Sequence, residues 1–151
     1  QREFPISATF EKINFLMSHT NLKVHAVWAT KFRKPLLIKE VRFLICQHIR
    51  MHAHSKGILI HSIDGYHDHI HCLFTLPADL SLSQSIQILK GESAFWINKQ
   101  NYFSHAFTWA KEYYAVSVSE SVVPEIALYI YAQEQKHQYF DQVIKAFGVK
   151  K

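Results

Sequence analysis

Two short apolar runs joined by a turn signal constrain the fold of this 151-residue chain more than any other feature. The first run covers residues 58–63, and the second extends from His67 to Phe74. Between them stands Asp64-Gly65, a dipeptide typical of hairpin turns. The sequence therefore predicts two antiparallel strands side by side, with Asp68 at the mouth of the hairpin.

The second of these strands carries two histidines on one face. Successive side chains on a strand point to opposite faces, so His69 and His71 lie together and Ile70 faces the other way. Two adjacent imidazoles can hold one cation, while Ile70 anchors the strand in a core. Without further motifs, a His-x-His on a strand is more often structural or exposed than a metal site.

The remaining periodic segments complete an α+β plan. They are a strand at 22–30, a helix at 38–55, a helix opened by a Ser81/Gln84 capping box, a loop at 98–107, an edge-type strand at 115–119 and a last helix from Pro124 to His137. The order predicts a ferredoxin-like split βαβ fold, an antiparallel sheet with helices on one face, plus an extra C-terminal helix. Residues 17–151 would form this domain, and residues 1–16 are interpreted as an upstream segment.

Composition limits the classes of partner. The formal charge of +5 and the 14% aromatic content favour a nucleic-acid partner, single strands in particular, without demonstrating one. No apolar run approaches the roughly 18–20 residues that a membrane span needs, and no signal-peptide layout is present, so we expect a cytoplasmic protein with no membrane partner. Cys46 and Cys72 are expected to be buried free thiols.

The His-x-His stretch DHIHCL at residues 68–73 resembles the HUH signature (His, hydrophobe, His) of the single-tyrosine transposases of small insertion sequences. These TnpA-like enzymes of the transposase 17 family cut and rejoin single-stranded DNA. Further stretches resemble the same family: VWATKFRKPLL from residue 27, SLSQSIQILKGESAFWIN from 81, WAKEYYAVSVS from 109 and YIYAQEQKH from 129. Glu112 and Tyr114 stand where the family commonly has glycine. The resemblance covers about residues 17–139 and implies the same fold.

The resemblance also implies the chemistry. In the family, a tyrosine on the last helix is the nucleophile, and a glutamine four residues later joins the histidine pair as a metal ligand. Tyr129 and Gln133 match that spacing, and His137 continues the same helix face. We therefore expect Tyr129 to form a 5′-phosphotyrosine, with Mg²⁺ or Mn²⁺ on His69, His71 and Gln133. Residue type alone would allow Tyr131 or Tyr139 equally.

Basic residues near these motifs are candidate DNA contacts. They are Lys31, Arg33 and Lys34 after the first strand and Lys90 in the second helix. For each of them a solvated surface position is an equal alternative. A glycine at position 91 destabilises its helix by roughly 1 kcal/mol relative to alanine. A close approach of DNA, a close approach of another backbone or tight helix packing would explain why glycine stands there.

A second metal site at His48, His52 and His54 is disfavoured, because no carboxylate or cysteine converges on these residues in the sequence. The resemblance implies a homodimer, in which the catalytic helix of one subunit completes the site of the other, bound to hairpin-bearing single-stranded DNA in a bacterial nucleoid. The strand at 115–119 is a reasonable place for the two sheets to join. Two alternatives stay open: a domesticated HUH endonuclease acting on host repeats or a plasmid origin, and a non-catalytic single-strand-binding module.

Overall fold

The computed structural model describes residues 19–147. Its elements are β1 (Leu22–Ala29), α1 (Lys39–Ser55), β2 (Leu59–Gly65), β3 (His69–Leu76), α2 (Leu82–Gln100), β4 (Tyr114–Val118), α3 (Val123–Tyr131) and α4 (Gln133–Phe147). The predicted upstream segment 1–16 lies outside the described residues. Across the described part of the chain, no helix has the length and apolar character that crossing a membrane requires.

The strands form one antiparallel sheet in the order β2-β3-β1-β4. The first strand lies between β3 and β4, and its register places Ala29 opposite His69 and Val27 opposite His71. The crossover helices α1 and α2 follow β1 and β3, which is the split βαβ order. The predicted α+β ferredoxin-like class is therefore confirmed, with β2 and β4 as the two edges.

One face of the sheet packs against α1 and α2 to form the main core. Its buried side chains are Val24, Ala26 and Trp28 of β1, Ile70, Cys72 and Phe74 of β3, Ile45, Ile49 and Ala53 of α1, and Ile86, Leu89 and Ile97 of α2. The predicted Ser81/Gln84 capping box begins α2, which runs to Gln100, into the region predicted as a loop. Cys46 and Cys72 are buried free thiols, as expected.

The opposite face carries the histidines and is covered by α3. His25, His69 and His71 point to this side, and all three are buried although they are polar. The Ser62 hydroxyl of β2 donates a hydrogen bond to the Ala127 carbonyl of α3 at 3.2 Å. The last helices therefore form a third layer, which sets the chemistry-bearing face apart from the main core.

The hairpin turn differs from the prediction. Strand β2 continues through Gly65, which pairs with Ile70, and the turn lies at residues 66–68. A Cβ atom on Gly65 would stand 1.9 Å from the His69 carbonyl oxygen. The close approach of the two strands therefore requires glycine at position 65. The Asp64-Gly65 dipeptide lies within β2 and does not form the turn.

The sequence predicted one continuous last helix, whereas the structure divides it into two segments. Segment α3 ends at Tyr131 and α4 begins at Gln133, with Ala132 between them at φ −86° and ψ 4°. The Tyr129 carbonyl, which the Gln133 N–H would approach in an ideal helix, accepts a hydrogen bond from Gln133 Nε2 at 3.0 Å. Buried Arg42 of α1 binds Glu134 at 2.9 Å, which fastens the start of α4 to the main domain.

Candidate active site

The two histidines of β3 are buried side by side, with ring centroids 5.1 Å apart. Each ring has its Nδ1 atom engaged within the protein. The Nδ1 atom of His69 lies 2.7 Å from Asp68 Oδ1, and that of His71 lies 3.0 Å from His25 Nε2. This arrangement leaves Nε2 as the nitrogen of each ring that can meet a ligand.

Asp68 connects His69 to the basic turn after β1. Its second oxygen, Oδ2, accepts a hydrogen bond from Arg33 Nε at 2.8 Å. Burial would raise the pKa of the Asp68 carboxyl, but the hydrogen bond with His69 and the charge of Arg33 outweigh it and hold that pKa below its usual value. An ionised Asp68 makes His69 Nδ1 the donor, so the Nε2 lone pair is free. Sequence reasoning missed this role, although an acid directly before a His-x-His motif is a usable signal.

His71 is held in its neutral form. Burial, followed by the nearby charges of His69, His25, His137 and Lys136, lowers the pKa of His71 to about 3. Its lone pair is therefore available to a cation at neutral pH. His25 was not predicted as a site residue, because only the pairing of β1 with β3 places it against His71.

Helix α3 brings Tyr129 to the histidine pair of its own chain. The centroid of the Tyr129 ring lies 5.7 Å from that of His71 and 6.3 Å from that of His25. The ammonium group of Lys136 donates to the phenol oxygen at 3.2 Å and lies 4.5 Å from the ring centroid. This hydrogen bond, partly opposed by burial, lowers the pKa of Tyr129. Lys136 was not predicted as a site residue, although it stands seven residues after Tyr129, a spacing that returns to the same face of a helix.

Gln133 and His137 lie on the same side as Tyr129 despite the break at Ala132. Gln133 is only 1% exposed, and the centroid of the His137 ring lies 5.1 Å from that of His69. Within residues 19–147, no three His, Cys, Asp or Glu side chains are arranged to hold a metal ion. A cation at the histidine pair would therefore need a third ligand other than His, Cys, Asp or Glu, and the amide oxygen of Gln133 is a candidate.

The other two tyrosines considered from sequence are placed differently. Tyr131 is 54% exposed and lines a separate cavity of about 800 Å³ beside α1, together with Phe43 and Leu44. Tyr139 is exposed on α4. The ring contacts described above place the Tyr129 ring against those of His25 and His71.

The four basic candidates fall into two groups. Lys31, Arg33 and Lys34 are exposed in the turn after β1, which Asp68 links to His69. Lys90 instead donates to the carbonyl oxygens of residues 110, 111 and 112, at 2.8, 3.0 and 3.3 Å, before β4 begins. Burial lowers the pKa of its ammonium group. The structure therefore brings the first group near the histidine pair and places Lys90 against a loop.

The contact between α1 and α2 contains the His48 cluster, and α2 contains Gly91, the two features that the sequence left open. The Glu92 carboxylate lies 2.8 Å from His48 Nε2, a contact that the sequence spacing did not reveal. Among the described residues, however, His48, His52, His54 and Glu92 are not arranged to hold a metal ion. His48 also stacks on Trp96 with centroids 4.1 Å apart. A Cβ on Gly91 would meet nothing within 4 Å, so tight helix packing does not explain this glycine.

Comparison with known proteins places this geometry in a family. The model of the family described as "Transposase IS200 like" matches residues 18–133. The transposase for insertion sequence element IS200 of Salmonella typhimurium is 28% identical over 135 residues, which cover 84% of this chain and 88% of that protein. The ISDra2 transposase TnpA of Deinococcus radiodurans is 25% identical over 120 residues, covering 76% of this chain and 86% of the relative.

Solved structures agree with this assignment. A crystal structure described as that of a transposase from Deinococcus radiodurans superposes with a TM-score of 0.62 at 26% identity, covering 77% of this chain and 93% of the other. A REP-associated tyrosine transposase bound to a REP hairpin gives a TM-score of 0.57 at 18% identity, over 80% of this chain and 74% of the other, which supports the fold. The chain therefore belongs to the IS200-like transposase family, the DNA transposases of small insertion sequences.

Proposed function

We propose that this protein cuts and rejoins single-stranded DNA with Tyr129 as the nucleophile and the His69/His71 pair as the centre that binds the scissile phosphate through a cation. The observation that carries the proposal is the placement of the Tyr129 ring 5.7 Å from that of His71, on the side of the sheet where the two histidines lie. The proposed nucleophile and the two histidines therefore lie on one face of one chain.

The proposed cleavage is a transesterification. The Tyr129 phenol gives up its proton to solvent water and its oxygen attacks phosphorus, so a tyrosine O–P bond forms as the bond from phosphorus to the 3′ oxygen breaks. The products are a 5′-phosphotyrosine and a 3′ oxygen that takes up a proton as a free hydroxyl. Because the new ester conserves the phosphodiester bond energy, a DNA 3′ hydroxyl can reverse the step and join strands. The Lys136 ammonium, 3.2 Å from the phenol oxygen, favours the phenolate that attacks.

The donor set suits a divalent cation. His69 and His71 would offer Nε2 lone pairs, since their Nδ1 atoms are engaged by Asp68 and His25, and Gln133 would offer its amide oxygen. When bound, Mg²⁺ or Mn²⁺ polarises a non-bridging phosphate oxygen and relieves charge in the transition state. Two nitrogen ligands argue for Mn²⁺, since Mg²⁺ prefers oxygen.

The test is covalent adduct formation with a labelled, hairpin-bearing single strand in the presence of Mn²⁺. We expect the wild type to form an adduct resistant to denaturation and Tyr129→Phe to form none. Tyr131→Phe is the matched control, because Tyr131 lies two residues away in the same helix but lines another cavity. An adduct that persists in Tyr129→Phe would remove Tyr129 from the role. Absence of any adduct with the wild type would favour a non-catalytic binding module.

The substrate we propose is single-stranded DNA with a hairpin, bound through the basic turn. Lys31 and Lys34 are exposed beside Arg33, and Arg33 is linked through Asp68 to His69. Cations in this position suit the phosphates on either side of a cleavage site.

We further propose a homodimer formed through the edge strand β4, whose Tyr114 and Val116 side chains are exposed. Tyr129 faces the histidines of its own chain here, so a site completed in cis is the arrangement the single chain supports. Mixing Tyr129→Phe with His71→Gln tests this point. Recovery of adduct formation in the mixture would mean that the helix works in trans, whereas two inactive variants that stay inactive together support cis.

A further inference from the structure

The turn after β1 contains two consecutive residues in a conformation that side chains disfavour. Phe32 has φ 59° and ψ 22°, and Arg33 has φ 54°. Left-handed backbone brings a Cβ close to the following carbonyl oxygen, so such residues persist only where the surroundings enforce them.

Hydrogen bonds around the turn supply that enforcement. The Arg33 N–H donates to the Thr30 carbonyl at 3.0 Å, and the Thr30 hydroxyl donates to the Lys34 carbonyl at 2.7 Å. The Lys31 N–H donates to the Thr108 carbonyl at 3.0 Å, which ties the turn to the loop before β4. The turn is therefore held in one shape from both sides.

The result of this shape is an aromatic ring in water. The Phe32 side chain is 79% exposed, more than any other large apolar side chain that the structure describes. Its ring therefore adds little to the core, so the enforced backbone has no internal packing reason. Backbone strain that presents an exposed side chain beside a site is typical of a binding function.

The surroundings of the ring identify the class of partner. Lys31 Nζ lies 5.3 Å from the Phe32 ring centroid, and Lys34 is exposed two residues on. On the other side, Arg33 reaches Asp68, which in turn reaches His69. One aromatic ring among three cations is unlike the contiguous apolar patch that a protein partner needs. It matches the pairing of a stacking platform with phosphate contacts found in single-strand binders.

We propose that Phe32 stacks against one unpaired base of the DNA strand next to the scissile phosphate, and so sets which phosphate reaches His69 and His71. The proposal rests on the proposed function, since it names how the same site selects its position on the strand. Because every base has a π face, stacking of this kind does not read base identity.

Binding to strands with a single abasic site tests the proposal. Hairpin-bearing oligonucleotides with the abasic site moved one position at a time are titrated against wild type, Phe32→Ala, Phe32→Trp and Phe43→Ala in EDTA, with fluorescence anisotropy as the readout. Phe43 is the matched control, an aromatic residue 60% exposed on α1. We expect one position where the abasic site weakens binding to wild type and Phe32→Trp by about 5- to 150-fold. Phe32→Ala should already bind the intact strand that much more weakly and ignore the abasic site.

The result that overturns the proposal is an abasic penalty that persists in Phe32→Ala, or a Phe32→Ala protein that binds the intact strand as tightly as Phe43→Ala does. Adduct formation by the wild type on the intact strand is measured in parallel. An adduct together with an inert Phe32 defeats base stacking and leaves the proposed function standing. Stacking at Phe32 without any adduct defeats the nuclease chemistry and leaves the binding inference standing.

Discussion

His25 Nε2 lies 3.0 Å from His71 Nδ1, and the two rings stack with centroids 5.2 Å apart across strands β1 and β3. With His25 accepting the Nδ1 proton of a neutral His71, the lone pair that His71 can offer to a cation lies on Nε2. A residue outside the His-x-His motif thus orients one of its members.

Replacing His25 should therefore weaken metal binding without touching a metal ligand. We expect His25→Phe to lower Mn²⁺ affinity about 10- to 100-fold, since it removes the acceptor that orients His71. His25→Gln keeps an acceptor and should lose less. Isothermal titration with Mn²⁺ measures both variants, and equal affinities for wild type and His25→Phe would contradict the role.

Lys136 should control how readily Tyr129 reacts. Removing the ammonium that donates to the phenol oxygen should slow adduct formation about 10- to 100-fold, since a hydrogen bond to the charged phenolate is lost. Because that hydrogen bond lowers the pKa of Tyr129, Lys136→Met should also move the alkaline rise in rate to higher pH. A pH–rate profile of adduct formation gives the answer, with Lys136→Arg as the charge-preserving control. An unshifted profile in Lys136→Met would exclude the contact from catalysis.

His71 should make the protein sensitive to acid. Its folded-state pKa of about 3 lies below the usual 6.5, so between these values the unfolded chain binds a proton that the folded chain does not. Stability therefore rises with pH through this window and is flat above it, and His71 should account for a loss of about 2 kcal/mol between pH 7 and pH 5. Urea unfolding in EDTA at both pH values, for wild type and His71→Gln, isolates this contribution. The variant should lose correspondingly less stability on acidification, and an identical loss would refute the assignment.

Replacing Lys90 should change the free energy of unfolding, whereas replacing Lys31 should change the salt dependence of DNA affinity. Lys90→Met removes the donor from three carbonyl oxygens, so we expect the free energy of unfolding to fall by about 1–2 kcal/mol. Lys31→Met should leave stability within about 0.5 kcal/mol, because the side chain is exposed. It should instead reduce the slope of log affinity for single strands against log salt by about 0.7. A Lys90→Met variant of unchanged stability with a reduced salt slope would make Lys90 the phosphate contact.

The sequence alone determined the architecture and indicated most of the residues of the candidate site. Alternation in β1 and β3, helical periodicity in α1 and the capping box at Ser81 are local patterns, and each produced its element in the expected order. The four-residue spacing of Tyr129, Gln133 and His137 predicted that these residues share one side, and they do so although the helix is broken at Ala132.

Only the tertiary structure decided what surrounds those residues. His25 becomes the partner of His71, 46 residues away, through the register of β1 against β3. Asp68 adjoins His69 in the sequence, but the salt bridge that holds Asp68 comes from Arg33, 35 residues away. Lys136 meets Tyr129 across the helix break at Ala132. The role of Gly65 also depends on tertiary structure, because this glycine lies inside β2 at a close approach to β3 and not in the turn that the sequence predicted. Periodicity reports which face a side chain occupies, whereas hydrogen-bond partners, burial and pKa depend on what the rest of the chain brings to that face.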